Sequence, residues 1–391
     1  MKWPDLYFDH NATTPPHPDL VRMIPEWLNL WGNPSSIHWA GQSVKTPIRQ
    51  ARLAISHLVH CQPLELIFTS GASEGNNSVL KGLWQNRDHR DHIVTSQVEH
   101  PSVMKTIQWL EDQGAKVTYI PVSRDGQLDM DALKKCLTHK TLVVSIMAAN
   151  NEIGSVFPVR EIAEMAHEVG AYMHTDAVQM LGKLPVDLKN WGVDYATFSA
   201  HKVNGFKGTG ITYVRRGALF EPLIHGGAQE RHRRGGTENV IGILSFGFVA
   251  ERIVDLHEKG KRMQILRDEF ESLVIDHIAN VKVNGHGSER LPNTSSLVID
   301  GVDGETLLMS LDLKGIAVST GAACSSGNPE PSPTLLAIGL TREEAQSSLR
   351  VSFGPFTQQR EVFELVEVLK EVVSRLRRIN ANLGESHHAE L

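Results

Sequence analysis

The sequence predicts an α/β protein whose larger part is a mostly parallel sheet, about seven strands wide, with helices in its connections. Short β-rich segments recur at 64–69, 92–96, 116–122, 141–147, 171–175, 194–199 and 210–214. Between several of them, as at 77–84 and 159–169, apolar residues fall at helical spacing. From about residue 245 the pattern changes. One long helix is expected over 244–278, followed by strands at 281–283, 295–299, 317–320 and 349–353, with helices at 304–311 and 357–383. The division expected is a large unit over 15–250 and a smaller α+β unit made of 1–14 and 251–391. In the last helix Val362, Leu365, Val366, Val368, Leu369, Val372, Val373 and Leu376 suffice for one buried face.

Bulk composition narrows the function. At 391 residues with 41% hydrophobic and 21% charged, the chain can bury large cores and is not globally disordered. A net charge of -6, with Lys and Arg dispersed, argues against a nucleic-acid face or a membrane-binding patch. The stretch from Met1 to Asp5 lacks a signal peptide's apolar core, and no apolar run reaches about 18 residues. A cytoplasmic protein is the expectation. Three scattered cysteines (Cys61, Cys136 and Cys324) make no disulfide framework, and the histidines form no metal-ligand spacing, so no metal is expected.

Chemistry gathers at predicted strand ends, where ligands sit in such sheets. Asp176 ends one strand and Lys202 follows another. An aspartate and a lysine so placed suit pyridoxal phosphate: the amine forms a Schiff base with the aldehyde, and the carboxylate keeps the ring nitrogen protonated. The run from Thr69 to Asn77 opens a helix with small residues, whose backbone amides and the Ser73 hydroxyl could meet an anion; taken alone, the run reads first as an ordinary capped turn. His100 could stack on a planar ring and shuttle protons, or simply cap the helix after Pro101. Asn151 has a plain turn alternative, Asp176 and Gln179 one as helix-start residues, and His201 and Lys202 one as surface residues of a glycine-rich turn. Convergence favours the functional reading, since each falls at the end of a different strand or beside one of those groups.

Cys324 stands apart. Its loop, Gly321-Ala322-Ala323-Cys324-Ser325-Ser326-Gly327, offers no aliphatic side chains to bury a structural thiol, which suits an exposed nucleophile. Cys61 and Cys136 read as minor core or surface residues. Arg350 interrupts a β-like stretch and suits capture of a carboxylate, or else lies on an edge strand.

In this order the motifs resemble the cysteine desulfurases of the NifS/IscS type, within the class V aminotransferases. Most specific are Asn33-Pro34-Ser35-Ser36-Ile37-His38, Thr69-Ser70-Gly71-Ala72-Ser73-Glu74, Asn150-Asn151-Glu152-Ile153-Gly154, Ser199-Ala200-His201-Lys202, Arg234-Gly235-Gly236-Thr237-Glu238-Asn239 and the Cys324 loop with Glu330-Pro331-Ser332. The resemblance implies fold type I of the pyridoxal phosphate enzymes and a homodimer. It makes Lys202 the Schiff-base lysine, Asp176 the ring-nitrogen partner and His100 the stacking, proton-handling group. Gln179 and Asn151 would meet the ring hydroxyl; Ala72, Ser73, Ser199 and His201 the phosphate, with Thr237 from the other subunit. Arg350, with Asn151, would bind the carboxylate of L-cysteine, and Cys324 would take its sulfur as a persulfide for an acceptor such as an iron–sulfur scaffold protein. Ser73 keeps a hydroxyl where threonine is common, while Asn204, Phe206, His225, Ala228, His232 and Pro333 depart from the usual pattern. A selenocysteine lyase would use the same residues; an aminotransferase needs no such thiol; an idle scaffold would need none of Lys202, Asp176, His100 and Cys324.

Overall fold

The computed structural model describes residues 6–320, 322–323 and 330–388. Its centre is a seven-stranded sheet in the spatial order Leu66–Thr69, Gly210–Val214, Tyr195–Ser199, Tyr172–Asp176, Thr141–Ser145, His92–Ser96, Lys116–Ile120. All neighbours run parallel except Gly210–Val214, which is antiparallel to both of its partners. The expected α/β class and strand positions therefore hold. Successive strand residues point to opposite faces, and this sorts the core in two. Phe68, Val94, Val144 and Phe198 enter one apolar cluster, while Ile67, Ile93, Val143 and Tyr195 enter another. Because six strands share a direction, their carboxyl ends open on one edge.

The helix Ala72–Gln85 lies tight against the sheet. A Cβ on Gly75 would come within 2.4 Å of Thr212 Oγ1, and one on Gly210 within 2.6 Å of the Gly71 backbone. Glycine at both positions lets the helix start directly over the strand ends. Two further helices, Pro18–Trp27 and Trp39–Leu58, contain Pro25 and Pro47, which obscure their periodicity in the sequence.

The later part of the chain forms a three-stranded antiparallel sheet in the order Ser348–Ser352, Thr294–Ile299, Val281–Val283. The N-terminal strand Leu6–Tyr7 joins this region by pairing with Ile316–Ala317. One expectation fails: 244–278 is not a single helix. Val240–Ala250 and Leu256–His277 are separate, with Asp255 between them in the left-handed region at φ 53°. The first is buried nearly all round and the second along one stripe, so a straight continuation could not satisfy both. The final helix, Gln359–His388, extends past its expected end.

Phe270, Phe8 and Phe353 form the aromatic centre of this second core, with Phe270 and Phe8 each edge-on to Phe353. Phe270 is fully buried. Phe270→Ala should lower the unfolding free energy by about 3–5 kcal/mol, read as an earlier urea midpoint.

Candidate active site

Ten of the residues singled out by sequence line one cavity of about 330 Å³ at the open edge of the large sheet: Ala72, Ser73, His100, Asn151, Asp176, Gln179, Ser199, His201, Lys202 and Arg350. Most arrive from the carboxyl ends of sheet strands. The strand Leu66–Thr69 leads to Ala72 and Ser73, His92–Ser96 to His100, and Thr141–Ser145 to Asn151. Tyr172–Asp176 ends on the aspartate, and Tyr195–Ser199 leads to His201 and Lys202. Arg350 comes from the small sheet.

Lys202 lies in the short turn Ala200–Lys202, where Nζ donates to the carbonyl oxygens of Asn11 (2.5 Å) and Ala12 (2.7 Å). Burial brings its ammonium down to about 8, helped by Arg350 and opposed by Asp176 and Asp9. A lysine so depressed is a usable amine near neutral pH. Asp176 accepts from Asn76 Nδ2 at 2.8 Å and from the Val178 amide at 3.1 Å. His100 does both things the sequence allowed. It caps the helix Pro101–Asp112 by accepting from the Ser102 amide, and it also lines the cavity. Burial lowers its basicity, Asp176 works against that, and Lys202 adds to it.

At the other end, the helix Ala72–Gln85 begins on Gly71, which offers no side chain to cap it. The Ala72 amide donates to Ser199 Oγ at 2.9 Å, and His201 contacts Thr13 Oγ1. Gln179 donates through Nε2 to Asn11 O, and its Oε1 accepts from the buried Lys183. Arg350 donates to Asn151 O through Nη1 (3.2 Å) and to Asp9 Oδ1 through Nη2 (2.8 Å). Its Nε is buried with no hydrogen-bond partner among the described residues.

One expected participant is not in this cavity. Thr237 is exposed and lies outside it, on a segment whose Arg234 forms a forked pair with Glu74 at 3.0 and 3.2 Å. Cys324 lies outside the described residues; before and after it, Ala322–Ala323 pairs with Glu330–Pro331. Burial raises the thiols of the other two cysteines, Cys61 to about 12, away from thiolate chemistry. Sequence reasoning missed Asp9, Asn76, Ser102, Lys183 and Glu152, whose carboxylate accepts from Ser332 Oγ. Asn76 lies inside the run from Thr69 to Asn77 and Glu152 inside that from Asn150 to Gly154, but nothing in their spacing says which side chain turns inward.

The donor set offers a helix N-terminus with hydroxyls and an imidazole, matched to a phosphate. It also offers a carboxylate, matched to a protonated ring nitrogen, and an amine lining the same cavity. These residues fit pyridoxal phosphate. Residues 6–365 match the family described as aminotransferase class-V. A cysteine desulfurase from Nostoc sp. is 42% identical over 377 residues, covering 96% of this chain and 94% of that protein. Cysteine desulfurase IscS from Dictyoglomus turgidum is 42% identical over 379 residues, covering 96% of each. Among solved structures, a NifS-like protein superposes with TM-score 0.88 at 36% identity, over 94% of this chain and 99% of that one. A structure described as SspA in complex with cysteine gives 0.80 at 31% identity, over 90% and 100%. The chain belongs to the class-V aminotransferase family, whose members generally depend on pyridoxal phosphate. Within that family its activity is that of a cysteine desulfurase.

Trapping of added pyridoxal phosphate on the Lys202 peptide by borohydride, followed by mass spectrometry, should rise with pH around a midpoint near 8. Asp176→Asn removes a carboxylate that favours the ammonium, so the midpoint should fall further.

Proposed function

We propose that this cavity binds pyridoxal phosphate together with L-cysteine, and that the substrate's sulfur passes to Cys324. The observation that carries the reading is the convergence, from separate strand ends, of an acceptor for a ring nitrogen, an anion-binding helix start and a lysine amine of lowered basicity. When bound, pyridoxal phosphate supplies an electron sink for the charge left as the substrate's α-proton departs.

The chain's own groups would do the rest. Lys202 would hold the aldehyde through its amine, and Asp176 would face the ring nitrogen. Gln179 and Asn151 would lie towards the ring hydroxyl, with Ala72, Ser73, Ser199 and His201 around the phosphate. His100 would cover the ring and handle protons, a role worth about 10²–10⁴ in rate. Arg350 would take the substrate carboxylate, using the Nε that no group of the described residues engages. The Cβ–S bond of cysteine breaks as its sulfur bonds to the Cys324 thiolate; the electron pair stays on carbon, which is protonated to give alanine. A persulfide remains on Cys324. Ser319 and Arg350 exchange backbone hydrogen bonds of 2.7 and 3.1 Å, so the segment leading to Cys324 departs from beside the carboxylate site. That supports Cys324 as the acceptor thiol.

The working unit we infer is a cytoplasmic homodimer. Thr237 is exposed, and Trp31, Ile37 and Trp39 are 70%, 89% and 76% exposed on a neighbouring part of the surface. Pro34 and Glu238 line one groove there, and a second copy that buried this face would bring Thr237 to its partner's phosphate end. The persulfide would then serve an acceptor protein such as an iron–sulfur scaffold. We also take residues 15–250 as the large unit, with 1–14 and 251–391 as the unit carrying the Cys324 loop.

Cys324→Ala should retain the bound cofactor and its colour while sulfide release from cysteine is lost; undiminished alanine and sulfide would rule out the thiol. Arg350→Ala should raise KM for cysteine by about 10- to 100-fold, the weight of a charged hydrogen bond, with cofactor binding little changed. An unchanged KM would remove Arg350 from substrate binding.

A further inference from the structure

His100 is reached by a chain of hydrogen bonds whose donors can be assigned one after another. A carboxylate only accepts, so the amide nitrogen of Asn76 must be the atom facing Asp176 Oδ2 at 2.8 Å. The same Nδ2 lies 2.9 Å from Ser102 Oγ, and Oδ1 accepts from Thr197 Oγ1 at 2.6 Å. Asn76 and Thr197 are fully buried, so this orientation has no competing solvent. With Asn76 donating to it, the Ser102 hydroxyl has its own proton free for His100 Nδ1, 2.8 Å away. The Ser102 amide, which can only donate, also points at Nδ1 from 3.1 Å. Two donors therefore converge on one imidazole nitrogen.

We infer that Ser102, oriented by Asn76, is a positioning residue that fixes His100 in the tautomer carrying its proton on Nε2. A proton on Nδ1 would face the Ser102 amide hydrogen and lose that bond. His100 is thus held neutral, with Nε2–H as the donor left for reacting atoms. The same Asn76 amide grips Asp176, so one side chain ties the ring-nitrogen carboxylate to the tautomer of the group above the ring. Charged or titratable groups around His100 are Asp176 and Lys202, with His201 and Arg350 elsewhere in the cavity. None of them contacts Nδ1 among the hydrogen bonds of the described residues.

The inference rests on the role proposed for His100, but its test needs no turnover. Protein with ¹⁵N-labelled histidine, with and without pyridoxal phosphate, is compared with His100→Gln to identify the His100 signals. The expected spectrum has a protonated Nε2 and an unprotonated, hydrogen-bonded Nδ1 near neutral pH. A proton on Nδ1 overturns the inference even if sulfide release proceeds as proposed. Ser102→Ala removes one bond to the neutral ring, so proton uptake at Nδ1 should become about two- to tenfold more favourable. Ser102→Thr should restore the original midpoint. A midpoint that stays put in Ser102→Ala overturns the part given to Ser102. Should the alanine variant fail to fold, the wild-type tautomer still decides.

Discussion

Asn11 is the residue on which the geometry of the site turns. It is almost fully buried, and every polar atom it has is engaged. Its carbonyl accepts from Lys202 and Gln179; its side-chain oxygen accepts from Lys183 and Asn293; its side-chain nitrogen donates to Asn151 O and Thr294 Oγ1. Its amide donates to Ser352 Oγ. These partners come from the large-sheet edge and from the small sheet alike. The position of the lysine amine relative to Arg350 is thereby set through one asparagine, and a buried group with so many partners has no cheap alternative arrangement.

That network carries an electrostatic tension. Lys183 is buried against amide oxygens with no ion-pair partner among the described residues, and burial, Lys202 and Arg350 all disfavour its charge. Asp9 and Asp176 supply the opposing charge around Lys202, the first paired with Arg350 and the second lining the cavity. Burial and the nearby Arg350 leave the Lys202 amine with depressed basicity, which a nucleophile requires.

Much of this was legible in the sequence, and for identifiable reasons. Strands buried on both faces read as apolar β-branched runs, so their ends, and with them His100, Asp176 and Lys202, could be located. The long helix expected over 244–278 failed because helical periodicity does not register a turn between two helices of different burial. Asn76 and Ser102 were invisible for another reason. A polar residue one or two turns into a helix looks solvated in sequence, and only the packing of Ala72–Gln85 beside Pro101–Asp112 turns both inward. Asp9 meets Arg350 across 341 positions, which no local pattern reveals. Cys324 was read from what its loop lacks, and it lies outside the described residues.

The Asp9–Arg350 pair bears on how the reaction ends. The guanidinium already has an anion beside it, so its fork is oriented before any amino acid enters. In the role proposed for Arg350, an incoming carboxylate would trade places with, or stand next to, a resident one; it would not neutralise a bare cation. Alanine carries the same carboxylate as cysteine. A site that gripped that group too firmly would keep its product, and in the proposed arrangement the built-in competitor would let the spent molecule go.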